Sequence, residues 1–88
     1  MADASFPLEF VTPTGGVQRL RCEGIVVALA DGEAGILKGH APMMAALPAG
    51  TVRVRSGDTE ERYAVGEAFL QVSQKGAAIF TTKCEKQE

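Results

Sequence analysis

Thr51-Val52-Arg53-Val54-Arg55-Ser56-Gly57-Asp58-Thr59-Glu60-Glu61-Arg62-Tyr63-Ala64-Val65 is the stretch that decides how this chain folds. Val52 and Val54 alternate with Arg53 and Arg55, while Tyr63 and Val65 point inward and Arg62 outward. Each half therefore puts apolar side chains on one face of a strand and charge on the other, at period two. Ser56-Gly57-Asp58 joins the halves as a hairpin, because glycine accepts the positive φ that tight turns need. Antiparallel sheet with one wet face is what such a pattern builds.

The alternation continues in both directions. Phe6, Leu8 and Phe10 form a first strand, Thr12-Pro13-Thr14-Gly15-Gly16 a turn, and Gln18, Leu20 and Cys22 one face of a second strand whose other face carries Arg19, Arg21 and Glu23. Ile25 to Ala30 is nearly continuous apolar sequence, the signature of a central strand covered on both faces. Asp31-Gly32-Glu33 turns, Ala34 to Leu37 makes a short strand, and Gly39-His40-Ala41-Pro42 breaks it. Met43 to Leu47 is apolar again, and Ala41 to Ala46 is tolerant enough of helix for one turn there. Leu70 and Val72 resume the alternation, Gln74-Lys75-Gly76 turns, and Ala77 to Thr82 is the last strand expected. Eight to ten short strands with turns every eight to ten residues predict an all-β antiparallel sandwich or barrel. The whole chain, 1–88, reads as one domain with an ordered part of about 5–83, and the polar tail from Lys83 to Glu88 is expected to fray.

The totals narrow the function. A chain of 88 residues supports one core and little internal cavity. A net charge of −2 offers no electrostatic pull toward nucleic acid or anionic lipid. Ile25 to Ala30, the longest apolar run, is too short to span a bilayer, and Met1 to Ser5 carries no basic segment with an apolar stretch behind it, so no export signal is expected. Cys22 and Cys84, outside any CxxC spacing, read as reduced thiols. His40 is the only histidine, so neither a metal site nor a cofactor site is expected. Cys22 and His40 are the sole candidates for a nucleophilic pair, and a strand-face cysteine is ordinarily inert. Gly32, Gly35 and Gly39 match no phosphate-binding fingerprint, and Glu60-Glu61 reads as a solvated strand start. No catalytic residues are assigned.

Asp31-Gly32-Glu33-Ala34-Gly35-Ile36-Leu37-Lys38-Gly39-His40-Ala41-Pro42-Met43-Met44-Ala45-Ala46-Leu47 resembles the signature of the epsilon subunit of F-type ATP synthases. Leu8-Glu9-Phe10-Val11-Thr12-Pro13 is similar to that family's first strand, Pro48-Ala49-Gly50-Thr51-Val52-Arg53-Val54 to its Pro-Gly-x-Val-Arg-Ile strand, and Phe69-Leu70-Gln71-Val72 to a late strand. The resemblance covers nearly the whole chain. It implies a flattened sandwich of about ten strands and a non-catalytic place in the central rotor stalk, coupling the ion-driven c ring to the catalytic head through the gamma subunit. Thr12, His40, Ala41 and Ala45 fall on positions that the resemblance places against gamma, and Asp31, Gly32 and Glu33 on a loop facing the c ring. It implies a peripheral position on the cytoplasmic face of a bacterial inner membrane, touching the membrane only through the complex.

The sequence departs from the family in places. Lys38 stands where the family usually has proline, and Gly66-Glu67-Ala68 replaces a Ser-Gly-Gly-like turn. The family's C-terminal helical hairpin, which carries ATP sensing and inhibition, has no counterpart in these residues, so neither activity is expected. A free-standing β-sandwich adaptor for another protein is the competing reading. Phe69 is out of phase with Leu70 and Val72, so it either packs beneath a loop or belongs to an exposed docking patch.

Overall fold

The computed structural model describes residues 4–87. The leader reading at Met1–Asp3 and the final tail residue, Glu88, lie outside the described residues. Ten strands run β1 (Phe6–Thr12), β2 (Gly16–Cys22), β3 (Gly24–Leu29), β4 (Gly32–Ile36), β5 (Met43–Leu47), β6 (Gly50–Ser56), β7 (Thr59–Val65), β8 (Ala68–Ser73), β9 (Gly76–Thr81) and β10 (Cys84–Gln87). They form two five-stranded sheets: sheet A in the order β2-β1-β9-β8-β5 and sheet B in the order β10-β7-β6-β3-β4. The all-β sandwich of about ten short strands read from the sequence is the fold observed. Every strand pair is antiparallel except β1 with β9, which is parallel from Leu8↔Ala77 to Val11↔Phe80.

The alternation places the core as written. Phe6, Leu8 and Phe10 of β1, with Leu70, Val72 and Ile79, fill the gap from sheet A; Ile25, Val27, Ile36, Val52, Val54, Tyr63 and Val65 fill it from sheet B. Phe10 and Tyr63 meet across the gap with ring centroids 4.8 Å apart, and the Tyr63 hydroxyl donates to Glu61 at 3.4 Å. Burying the ring while leaving the hydroxyl a partner is what allows a tyrosine this deep.

Three segments differ from the reading above. β3 buries Ile25 and Val27 but leaves Val26 and Ala28 half-exposed, so it is covered on one face. Residues 41–46 contain no helical turn: Met43 to Leu47 pair with β8, and ladder hydrogen bonds override the helix preference of alanine and methionine. Cys84 to Gln87 is a strand, antiparallel to β7 from Cys84↔Val65 to Gln87↔Arg62. Its side chains carry no apolar alternation, because an edge strand is held by its backbone ladder. Here an ion pair from Lys86 to Glu61 at 2.7 Å adds to that ladder, and Cys84 packs against the core.

That ion pair makes the edge acid-sensitive. The hydrogen bond from Lys86, then its charge, holds the Glu61 carboxyl below its ordinary value of 4.5. A carboxyl depressed in the folded state contributes stability above its unfolded value, and that contribution is lost as pH falls through the folded one. Hydrogen exchange at the β10 amides is therefore expected to accelerate below pH 4.5 relative to β6, and a Glu61→Gln variant should lose that pH step.

One glycine is required by packing. Gly76 opens β9 at φ +154°, and a Cβ there would overlap the carbonyl oxygen of Pro7 on the parallel neighbour β1. Because backbone has to yield on one side or the other, Gly76→Ala is expected to cost roughly 2–3 kcal/mol, read as a lower denaturant midpoint at constant m-value.

Candidate protein-docking site

Neither cysteine is set up for chemistry. Burial pushes the Cys22 thiol above its ordinary value, outweighing a hydrogen bond with the Gly24 backbone and the charge of Arg21; burial also raises Cys84. A thiol held protonated in this way is a poor nucleophile. His40 lies in the β4–β5 loop, where its backbone N–H donates to Leu37 O at 3.0 Å and its Nδ1 is 2.7 Å from Ala41 O. With the proton on Nδ1 the ring donates to that carbonyl and ties itself to its own loop.

The outer faces of the two sheets differ in kind. Sheet B presents Arg53, paired with Glu33 at 3.3 Å, and Arg62, paired with Glu60 at 3.3 Å. Exposed pairs of this sort leave a solvated, self-satisfied surface. Sheet A presents an apolar row that crosses all five strands: Val17 opposite Val11, Val11 opposite Phe80, Phe80 opposite Phe69, and Phe69 opposite Ala46. Phe69 is 40% exposed, Phe80 42% and Val17 51%, with Met44 nearby on β5 at 65%. Beyond Met44 the next row turns polar through Gln71, Ala78, Glu9 and Arg19. Aromatic side chains side by side on an otherwise closed sandwich are a typical mark of a protein interface, since water gains when they are covered.

Local sequence explains the row. In each strand the large residue is one step out of phase with the core set: Val11 after Phe10, Phe69 before Leu70, Phe80 after Ile79. Sheet register then stacks the three side by side. Phe69 does not sit beneath a loop; it is exposed in the middle of this row. Val11, Val17, Met44 and Phe80 were not among the site residues read from the sequence, though the same out-of-phase signal marks Val11 and Phe80.

The predicted site residues fall into two places. Thr12 ends β1, takes a hydrogen bond from the Gly15 N–H at 3.0 Å, and lines a hollow of about 600 Å³ with Val11, Phe69 and Phe80. Ala45 sits half-buried in mid-β5, opposite Leu70 and packed against the core, so its side chain is on the other side of the strand from Met44 and Ala46. His40 shares a cleft of about 330 Å³ with Phe6 and Pro7, at the start of β1. Thr12 is at that strand's other end, roughly 20 Å away at 3.3 Å per residue. Ala41 is exposed in the same loop as His40. Asp31 lies in the exposed β3–β4 turn and Gly32 and Glu33 open β4, all at the far end of β4 from His40. Thr12 thus borders the apolar face, Ala45 lies on the core side of β5, His40 and Ala41 lie in the loop before that strand, and the acidic turn stands apart.

Comparison with known proteins adds to this geometry. The family described as "ATP synthase, Delta/Epsilon chain, beta-sandwich domain" matches residues 5–87. The chain belongs to this family. Among curated members it is 35% identical over 86 residues to the ATP synthase epsilon chain of Syntrophomonas wolfei, covering 97% of this chain and 63% of that one. It is 34% identical over 82 residues to the epsilon chain of Bacillus cytotoxicus, covering 93% and 62%. It is 34% identical over 76 residues to the sodium ion specific epsilon chain of Propionigenium modestum, covering 86% and 56%. The chain thus spans less than two thirds of the length of these epsilon chains, within their β-sandwich part. Its fold superposes on a chain of the Euglena gracilis mitochondrial ATP synthase (OSCP/F1/c-ring) with a TM-score of 0.86 at 21% identity, covering 98% of this chain and 56% of that one. A chain of the Tetrahymena thermophila mitochondrial ATP synthase central stalk and c-ring gives 0.75 at 11% identity, covering 90% and 64%. At those identities the likeness concerns the fold.

Proposed function

We propose that this delta/epsilon-type sandwich is a non-catalytic central-stalk subunit of an F-type ATP synthase, docked on the gamma subunit through the outer face of sheet A and resting on the c ring through the β3–β4 turn. The observation that carries the reading is the five-strand apolar row from Val17 to Ala46. A joint that transmits torque has to resist shear, and a row anchored in a hydrogen-bonded sheet is stiffer than a loop contact. Thr12 borders that surface, His40 and Ala41 lie in the loop leading into β5, and Ala45 supports the surface from the core side of that strand. Glu33 is exposed and, among the described residues, paired with Arg53 at 3.3 Å, so a cationic group on a ring loop can compete for it. Such pairs contribute about 0.2–1 kcal/mol, enough to set register and too little to hold the joint alone. The protein then works peripherally on the cytoplasmic face of a bacterial inner membrane, reaching the bilayer only through the complex. ATP sensing is assigned no place in residues 4–87, and micromolar binding of ATP to this chain in a calorimeter would overturn that assignment.

The test is titration of the chain into recombinant gamma subunit, followed by size-exclusion chromatography. A stable one-to-one complex is expected. If gamma does not bind, the stalk reading falls, and a sandwich that adapts to some other protein takes its place.

A further inference from the structure

A five-stranded sheet has two edges, and this sandwich has four: β2 and β5 in sheet A, β10 and β4 in sheet B. Edge strands carry unpaired backbone N–H and C=O groups, which proteins ordinarily guard with charge or by covering. β2 carries Arg19 and Arg21, β10 carries Glu85 and Lys86, and β4 carries Glu33. β5, Met43-Met44-Ala45-Ala46-Leu47, carries no charge at all. Its only strand partner is β8, and among the described residues no other backbone hydrogen bond reaches it. Met44 and Ala46 are exposed, and Ala46 is the terminal member of the apolar row. Pro42 and Pro48 bracket the strand, limiting any further pairing to these five residues.

We propose that β5 is an acceptor edge, and that the partner docked on sheet A adds an extended, uncharged segment to it as a sixth strand. This inference rests on the docking reading above and deepens it. The incoming strand is specified by what it meets: a large apolar side chain fits opposite Ala46, and a small one opposite Met44. Backbone bonds fix its direction and register, while the apolar row supplies the area. A second copy of this chain fits less well. Pairing β5 with β5 about a two-fold axis would place both apolar rows on one continuous sheet and leave them uncovered. Five paired residues alone fall well short of the roughly 1,200 Å² that a stable interface buries. A different protein whose body lies over the row and whose strand lies along β5 satisfies both.

The experiment is amide hydrogen exchange on the full chain, free and bound to recombinant gamma subunit, with a Phe69→Ser/Phe80→Ser double variant alongside. Amides along 43–47 that point away from β8 should slow by about tenfold or more in the complex, while the edges at β2 and β10 stay as in the free chain. Amides of Met44 and Ala45 point to opposite sides of the strand. Of Met44→Pro and Ala45→Pro, the variant that leaves the melting transition in place is the one that removes an outward donor. It should weaken gamma binding by about tenfold or more. A complex that forms, depends on the two phenylalanines and leaves β5 exchange unchanged overturns the added strand and leaves the docking face standing. So does an outward proline with unchanged affinity. If no complex forms, both fall together.

Discussion

Serine at both Phe69 and Phe80 is expected to abolish detectable binding to the gamma subunit while leaving the sandwich folded. Both rings stand on the outer face of sheet A at 40% and 42% exposure, directly opposite each other across β8 and β9. Truncating a central aromatic anchor costs an interface about 2–4 kcal/mol, which is roughly 30- to 1000-fold in affinity for each ring. Since neither side chain reaches the core, the variant should keep its far-ultraviolet spectrum and most of its melting temperature. Arg55→Ala, on sheet B, is the matched control. That side chain is exposed on β6, away from the row, and its removal should shift gamma affinity less than about twofold. Retained binding by the double serine variant would mean that the row is not the docking face. Equal losses in both variants would point to an effect on folding.

Phe10→Ala is expected to have the largest effect on stability. Phe10 is 1% exposed, sits in mid-β1 between β2 and β9, and stacks against Tyr63 of the opposite sheet. Removing a buried phenylalanine ring costs about 3–5 kcal/mol through lost transfer energy and the cavity that remains. A domain of this size holds only about 5–10 kcal/mol in total, so roughly a third or more of its stability goes. Urea unfolding should show the midpoint falling steeply, and gamma binding should weaken only to the extent that the unfolded fraction rises. A loss under about 1 kcal/mol would mean that the two sheets can close over the gap, against the close contact seen between the rings.

The fold was legible because its rule is local. Val52, Val54, Tyr63 and Val65 alternate, and the glycine turns between such runs leave few arrangements other than antiparallel sheet. What was not legible depended on neighbours that the sequence does not place. The charged segment at Cys84–Gln87 has no pattern of its own and becomes a strand because β7 offers it an edge. Met43–Leu47 tolerates helix in isolation and becomes a strand because β8 is beside it. The site shows the same division. Phe69 was marked by its phase within one strand, and His40 was readable as a turn residue, which is how its ring and backbone are used. The row as a whole was hidden, because lining Val11 up with Phe80 requires knowing that β1 and β9 run parallel.

That parallel pairing has a consequence for the nascent chain. Leu8 finds its partner at Ala77, nearly the full length of the molecule away. Until the ninth strand has left the ribosome, the opening hairpin has no neighbour for one edge and no lid for Phe6, Leu8 and Phe10. Long-range closure of this kind slows folding and leaves sticky surface open meanwhile. Synthesis stalled before residue 76 should therefore yield a species that chaperones hold or proteases clear, whereas emergence of the ninth and tenth strands lets both sheets close together.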